Sequence, residues 1–320
     1  MSPAHSITVI GSINVDFVVR ADRLPAAGES VVGHEFFQAF GGKGANQAVG
    51  IARLGRAKVN FVAAVGGDDI GKSGLASLAR ENISTEFVRE VQDADSGVAL
   101  IMIDAAGENC ITAAPGANAF VDENYIRCLP DSLFRESSLI VICQEIPLEA
   151  IRVAVERAKQ GGVPVLFNPA PPNERLADSE VLSMVDYLTP NETEVEAITG
   201  IRIDGPDDDA GKLAALRILV EKGARRVAIT MGRAGCFVYD PGEMEGLESA
   251  LQVSAPVTTA VDTTAAGDSF NAALAVGLVN QLDFLEACRW ANRVAAFSVT
   301  RKGAQPSLPT TEELEAHYRD

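Results

Sequence analysis

The hydrophobic positions of this chain change period along its length, and the changes predict its elements. Ser6-Ile7-Thr8-Val9-Ile10-Gly11 is a short β-branched run, the pattern of a buried central strand. Residues 17–20 and 30–40 read as further strands, broken by turn residues around Pro25 and Gly28. No helical pattern covers their large apolar side chains, so they suggest a small sheet standing off the main body. A period of 3.6 takes over at about residues 45–54, a helix, and residues 60–65 return to a strand. Residues 96–103 and 109–112 flank the turn Asp104-Ala105-Ala106-Gly107-Glu108, a hairpin that would complete the small sheet. Strand and helix then alternate, with strands at 139–143, 163–168, 187–189 and 226–231 and helices at 149–160 and 210–222. Residues 261–264 read as the end of a strand, and the apolar run 272–279 as a buried helix. A further helix surrounds Trp290, and residues 311–320 form a short charged one. This rhythm predicts an α/β fold: a doubly wound, mainly parallel central sheet flanked by helices, with a small β-sheet lid.

Composition narrows the partners. The 320 residues are 47% hydrophobic, enough for a large core, and only 6% aromatic, which suits helices packed closely on a sheet. With a net charge of −17 and no run of Lys or Arg, the chain is expected to bind neither nucleic acid nor an anionic membrane. The five cysteines (110, 128, 143, 236 and 288) are scattered and form no C-x-x-C, and His5, His34 and His317 are isolated. This is neither a disulfide framework nor a zinc site. The N-terminal residues show no secretory leader pattern, and no apolar run reaches membrane-spanning length. A cytoplasmic location is therefore expected.

Chemistry gathers where the predicted strands end. In open parallel sheets ligands bind beyond the carboxyl ends of the strands. Asn14 and Asp16, Glu145, Asn168, Asn191 and Glu194, the loop Thr230-Met231-Gly232-Arg233-Ala234-Gly235, and Asp268 all fall at such ends. Asn14 and Asp16, two apart, would share a strand face and could meet sugar hydroxyls or simply be solvated. Gly41-Gly42-Lys43-Gly44-Ala45-Asn46 opens a helix with glycines that allow close backbone approach and with two donors, Lys43 and Asn46. Ala265, Ala266 and Gly267 leave the first N–H groups of the next helix uncovered, which makes an anion site. Asp268 beside it is either an N-cap or a base for an attacking hydroxyl.

One motif competes. Gly66-Gly67-Asp68-Asp69-Ile70-Gly71-Lys72-Ser73 matches the P-loop pattern in full. Asp68 and Asp69 would place two negative charges in that phosphate cradle, however. A helix N-terminus complemented by acidic residues is the better reading.

The longer motifs Gly11-Ser12-Ile13-Asn14-Val15-Asp16, 40–48, Thr189-Pro190-Asn191-Glu192-Thr193-Glu194, 261–271 and 300–307 together resemble the ribokinase/fructokinase family of carbohydrate kinases, nearly end to end. The last two incline toward its ribokinase branch. The resemblance implies a single domain over residues 1–320, with a discontinuous lid formed by about 14–40 and 96–114, and homodimers through that lid. It implies transfer of the ATP γ-phosphate to the 5-hydroxyl of D-ribose. Asp268 would be the base, and the N–H groups of Ala265, Ala266 and Gly267 the anion hole. Asn14, Asp16, Gly42, Lys43, Asn46 and Glu145 would hold the sugar. Asn191, Glu194, Thr230, Met231, Gly232, Arg233, Ala234, Gly235 and Asn292 would serve the nucleotide, with Glu194 tied to Mg²⁺. Asp262, Thr264, Ser298, Arg301, Gly303 and Ser307 would surround K⁺. The chain departs from the family in having Ala265 where a glycine is usual, and in the position of Arg233 within its loop. Rival readings are a kinase of the same family acting on deoxyribose, a nucleoside or a ketose, a P-loop ATPase, and a non-catalytic sugar-binding protein.

Overall fold

The computed structural model describes residues 5–55 and 57–319, so Asp320 at the end of the predicted terminal helix lies outside it. In chain order the strands are β1 (Ser6–Ile10), β2 (Asn14–Ala21), β3 (Gly33–Gly41), β4 (Lys58–Gly66), β5 (Ser84–Val91), β6 (Gly97–Ile103), β7 (Asn109–Ala114), β8 (Leu139–Cys143), β9 (Val165–Asn168), β10 (Tyr187–Leu188), β11 (Arg226–Thr230), β12 (Cys236–Tyr239) and β13 (Leu251–Val253). Nine of them form the central sheet in the order β13-β12-β11-β10-β9-β8-β1-β4-β5. The strands from β11 to β5 are parallel, and β12 and β13 add an antiparallel edge.

The two-residue period of these strands feeds two cores. Ile7 and Val9 of β1, Leu139 and Val141 of β8, and Phe61 and Ala63 of β4 face one helical layer, which includes Lys43–Leu54, Ala266–Val279 and Phe284–Ser298. Ile10, Ile140, Ile142, Val62 and Ala64 alternate with them and face the other layer, which includes Leu148–Gly161 and Asp209–Glu221. Each fully buried large side chain, such as Phe61 or Ile140, contributes about 1.5–3 kcal/mol of burial energy. Residues buried on both faces explain why the strands read as continuous apolar runs.

The small sheet is present, in the order β3-β2-β6-β7. Its outer pairs are antiparallel, and β2 and β6 at its centre are parallel. Asn14 and Asp16 open β2 rather than ending β1, and they pair with Gly41 and Ala39 of β3.

Three expectations need correction. Residues 261–264 are not a strand: β13 ends at Val253, and the chain then runs as an exposed loop to the Ala266–Val279 helix, with no neighbouring strand to pair. Thr189 and Met231 each lie just beyond their strands, where the backbone turns into loops. Strands β5, β12 and β13 were not foreseen; β13 is three residues long, and β5 carries several exposed polar residues on the sheet edge.

Candidate active site

The strand order reverses at β1 and β8, the switch point where such sheets open a crevice. Ser12, just past β1, donates its hydroxyl to Glu145 Oε2, just past β8. Glu145 Oε2 also accepts from the Lys43 N–H at 2.9 Å. The N-terminus of the Lys43–Leu54 helix is thus drawn over the crevice. It comes very close: a Cβ on Gly44 would lie 2.6 Å from Ser12 N and 2.8 Å from Gly11 Cα. Gly42, at φ 87°, makes the turn into that helix.

Asp268 lies in the first turn of the Ala266–Val279 helix and is buried. Its Oδ2 accepts from Asn46 Nδ2 at 2.9 Å and its Oδ1 from Gln47 Nε2 at 3.1 Å. It does not cap its own helix: Ala265 is the N-cap residue and makes no side-chain cap. The bland reading of Asp268 as a cap is therefore excluded. Burial raises its carboxyl above the usual range, and Lys43, Asn46 and Gln47 oppose that. Burial also works against the charge of Lys43, yet Asp268, Glu145 and Glu194 outweigh it and leave the ammonium held more firmly than usual. Asp16 is pushed up to about 6 by burial, then by Glu145, then by Asp268. Asn14 and Glu145 line a cavity of about 370 Å³ with Asn118, whose Nδ2 donates to Asn14 Oδ1 at 2.8 Å. The structure therefore gathers Asn14, Asp16, Gly42, Lys43, Asn46, Glu145 and Asp268 into one polar cluster.

A second cavity, about 420 Å³, lies on the other side of the same helix turn. Gly232, Arg233, Asn292, Thr263, Val257 and Ala266 are among its walls. Ala266 thus faces this cavity while Asp268 belongs to the polar cluster. The Ala265–Gly267 turn opens the helix, with the Ala266 N–H donating to the Thr263 carbonyl at 3.2 Å. Ala265 takes φ 59°, the left-handed conformation that glycine adopts without strain. A Cβ on Gly267 would meet nothing within 4 Å.

Other expected residues lie apart from the second cavity's walls. Met231 is buried, and Gly235, at φ 92°, lets β13 pass too close for any side chain. Thr230 and Ala234 are not among the walls either. Asn292 Nδ2 is engaged by the Val253 carbonyl at 2.9 Å. Asn191 and Glu194 hold each other in a capping box: Asn191 N donates to Glu194 Oε2 at 2.8 Å, and Asn191 Oδ1 accepts from Glu194 N at 2.9 Å. Glu194 is nevertheless close enough to Lys43 and Asp268 to feel both charges.

The loop 298–307 returns to the helix turn, a fold-back that spacing alone did not show. Val261 N donates to the Val299 carbonyl at 2.7 Å, and Gly303 N to Asp262 Oδ2 at 2.9 Å. Thr264 donates to Asp262 Oδ1 through both N–H and hydroxyl. Arg301 turns to Glu313 at 2.8 Å, while Ser307 donates to the Ala304 carbonyl at 2.7 Å. Asp262, Thr264 and Gly303 are directly joined; Arg301 and Ser307 have other partners. Among the described residues no three His, Cys, Asp or Glu side chains cluster as a metal site, and no helix is long and apolar enough to cross a membrane.

The P-loop pattern is not a phosphate cradle. Asp68 caps the Asp69–Arg80 helix by accepting from Gly71 N at 2.7 Å, and its other oxygen accepts from Ser96 N at 2.8 Å, so a carboxylate already occupies the helix N-terminus. Lys72 is exposed and leans to Asp69.

A polar acceptor cluster and a second cavity, joined at one helix N-terminus, define a small-molecule phosphotransferase. The model of the pfkB family carbohydrate kinase matches residues 4–311. The chain belongs to this family of carbohydrate kinases. It is 38% identical to a ribokinase of Haemophilus influenzae over 96% of each chain, and 36% identical to a deoxyribokinase of Salmonella typhimurium over 97% of this chain and 98% of the relative. The solved structure of Arabidopsis thaliana ribokinase complexed with ribose and ATP is 29% identical, covers 98% of each chain and superposes with a TM-score of 0.83.

Proposed function

We propose that this kinase transfers the γ-phosphoryl group of ATP to the 5-hydroxyl of D-ribose, giving D-ribose 5-phosphate. The observation that carries the reading is the shared turn: Asp268 belongs to the polar cluster and Ala266 to the second cavity, within one turn of helix. Relatives named ribokinase and the homologous ribose and ATP complex support the acceptor and the donor.

In this reading Asn14, Asp16, Asn46 and Glu145 bind sugar hydroxyls. Asn46 Oδ1 is buried without a hydrogen-bond partner, an acceptor suited to one of them. Asp268 takes the proton of the attacking hydroxyl. The N–H groups of the 265–267 turn and the Lys43 ammonium stabilise charge on the transferring group. Gly232, Arg233 and Asn292 border the nucleotide. Mg²⁺, arriving with ATP, would supply further charge neutralisation; sites of this kind hold it through phosphates and one or two carboxylates, and Glu194 is a nearby one. The hard oxygens of Asp262 and the adjoining carbonyls suit K⁺, which would add positive charge behind the turn.

The lid belongs to the same domain and would exclude water from the site. Its outer face carries Phe36, 61% exposed and stacked on Phe17, and Leu100, 56% exposed; this apolar surface supports a homodimer through the lid. Five free cysteines support a cytoplasmic setting.

The deoxyribokinase relative supports a second reading, 2-deoxy-D-ribose as acceptor. A coupled assay with ATP and Mg²⁺ tests both, comparing D-ribose, 2-deoxy-D-ribose, D-fructose and adenosine in potassium and in sodium. The expected result is a rate dominated by D-ribose that rises with potassium. A rate dominated by another acceptor refutes the substrate.

A further inference from the structure

Gln47, Asn168, Thr189 and Asn271, all buried and none of them given a role above, form a ring beneath the site. Gln47 Nε2 donates to Asp268 Oδ1 at 3.1 Å and to Asn168 Oδ1 at 3.2 Å. Asn168 Nδ2 donates to the Thr189 carbonyl at 3.0 Å. The Thr189 hydroxyl donates to Asn271 Oδ1 at 2.6 Å, and Asn271 Nδ2 to the Gly267 carbonyl at 2.8 Å. The ring therefore starts on the side chain of Asp268 and ends on the backbone of its neighbour Gly267. It draws on the Lys43–Leu54 helix, the ends of β9 and β10, and the Ala266–Val279 helix.

We infer that Gln47 is the positioning residue for Asp268, and that Asn168, Thr189 and Asn271 extend its hold to the anion-binding turn. The inference rests on Asp268 as the base of the proposed reaction. The direction of the ring is fixed at its ends, because the Asp268 carboxylate and the Thr189 and Gly267 carbonyls can only accept. Each amide must turn its nitrogen toward one of them. Gln47 meets this demand with both N–H groups, and its Oε1 is left buried without a donor. An apolar residue of the same volume would fill the space with no such cost, so packing does not explain a glutamine here.

The chemistry that follows is specific. One oxygen of the carboxylate is held by Gln47 and the other by Asn46, which fixes the plane of the group. Gln47 also favours the ionised form of a carboxylate that burial drives toward the neutral one. Losing that donor must raise the pH at which the base becomes competent.

The test is Gln47→Leu in the full chain, with steady-state kinetics on D-ribose and ATP. A charge-assisted hydrogen bond lost at the base predicts a kcat lower by roughly ten- to hundred-fold. The KM for sugar should stay within about twofold, because both Gln47 donors are already used inside the protein. The acid limb of the kcat–pH profile should move to higher pH, which a packing defect alone would not cause. Thr189→Val removes one hydroxyl from the far side of the ring and keeps the inference testable if Gln47→Leu does not fold; it should lower kcat several-fold and leave the acid limb in place. Parental kcat and pH profile in a folded Gln47→Leu, or parental kcat in Thr189→Val, overturns the inference. Asp268→Asn measured alongside separates the two claims: normal turnover there defeats the base itself, whereas an inactive Asp268→Asn beside a normal Gln47→Leu defeats only the positioning.

Discussion

Gly44 and Gly267 lie in the first turns of two helices of the candidate site, and the space around them differs completely. A Cβ on Gly44 would lie 2.6 Å from one backbone atom and 2.8 Å from two more, while a Cβ on Gly267 would meet nothing within 4 Å. Gly44 is required by the fold itself, since the first helix crosses the β1 turn at backbone contact. Among the described residues nothing crowds a Cβ on Gly267, and Gly267 does not adopt a positive φ. The first turn of one helix is therefore fixed by the chain's own packing, and the first turn of the other is left open, as the proposed phosphate site would require.

Three substitutions test this contrast. Gly44→Ala has the largest expected effect on stability, a loss on the order of 3 kcal/mol, because only backbone atoms can give way. Thermal unfolding would show it, and an unchanged Tm would mean that the crossing is looser than described. Asp16→Asn comes next and carries the opposite sign. The folded-state pKa of Asp16, about 6, lies above the 3.8 of an unperturbed aspartate. Its ionisation therefore costs stability once the pH rises through 6, and removing the charge should stabilise the unliganded protein by on the order of 2 kcal/mol at pH 8. The gain should shrink as pH falls from about 6 toward 4, and sugar affinity should drop in the same variant. No pH dependence in the difference of Tm would refute the assignment. Gly267→Ala should change stability least, by up to ~1 kcal/mol in the favourable direction as for other helical glycines. Phosphoryl transfer should nonetheless fall roughly tenfold as the methyl group intrudes on the anion site. Normal turnover would show that no ligand approaches there.

The same contrast explains what was legible in the sequence. The parallel strands β1, β4, β8, β9 and β11 were readable because their residues are buried on both faces and leave unbroken apolar runs. The short edge strand β13 leaves no such run. Residues 261–264 misled because threonine and valine favour strands, whereas pairing decides them, and no partner lies beside them. The polar cluster is legible as a set of polar residues at strand ends. Gln47 was not singled out, since one more polar residue in a helix carries no signal until the fold brings it to Asp268 from 221 positions away. Asn271 and Thr189 escaped for the same reason, sitting 82 positions apart in sequence. The apparent P-loop was rejected on charge, and the structure gives the reason, with Asp68 occupying the helix N-terminus itself.

The most direct test is Asp268→Asn, which replaces one carboxylate oxygen with an amide nitrogen in the first turn of the Ala266–Val279 helix. Single-turnover transfer from ATP to D-ribose should be measured together with ribose binding and thermal stability. The rate should fall by at least about a thousandfold, with ribose still bound and the fold intact. A near-parental rate in a folded, ribose-binding Asp268→Asn would contradict Asp268 as the base.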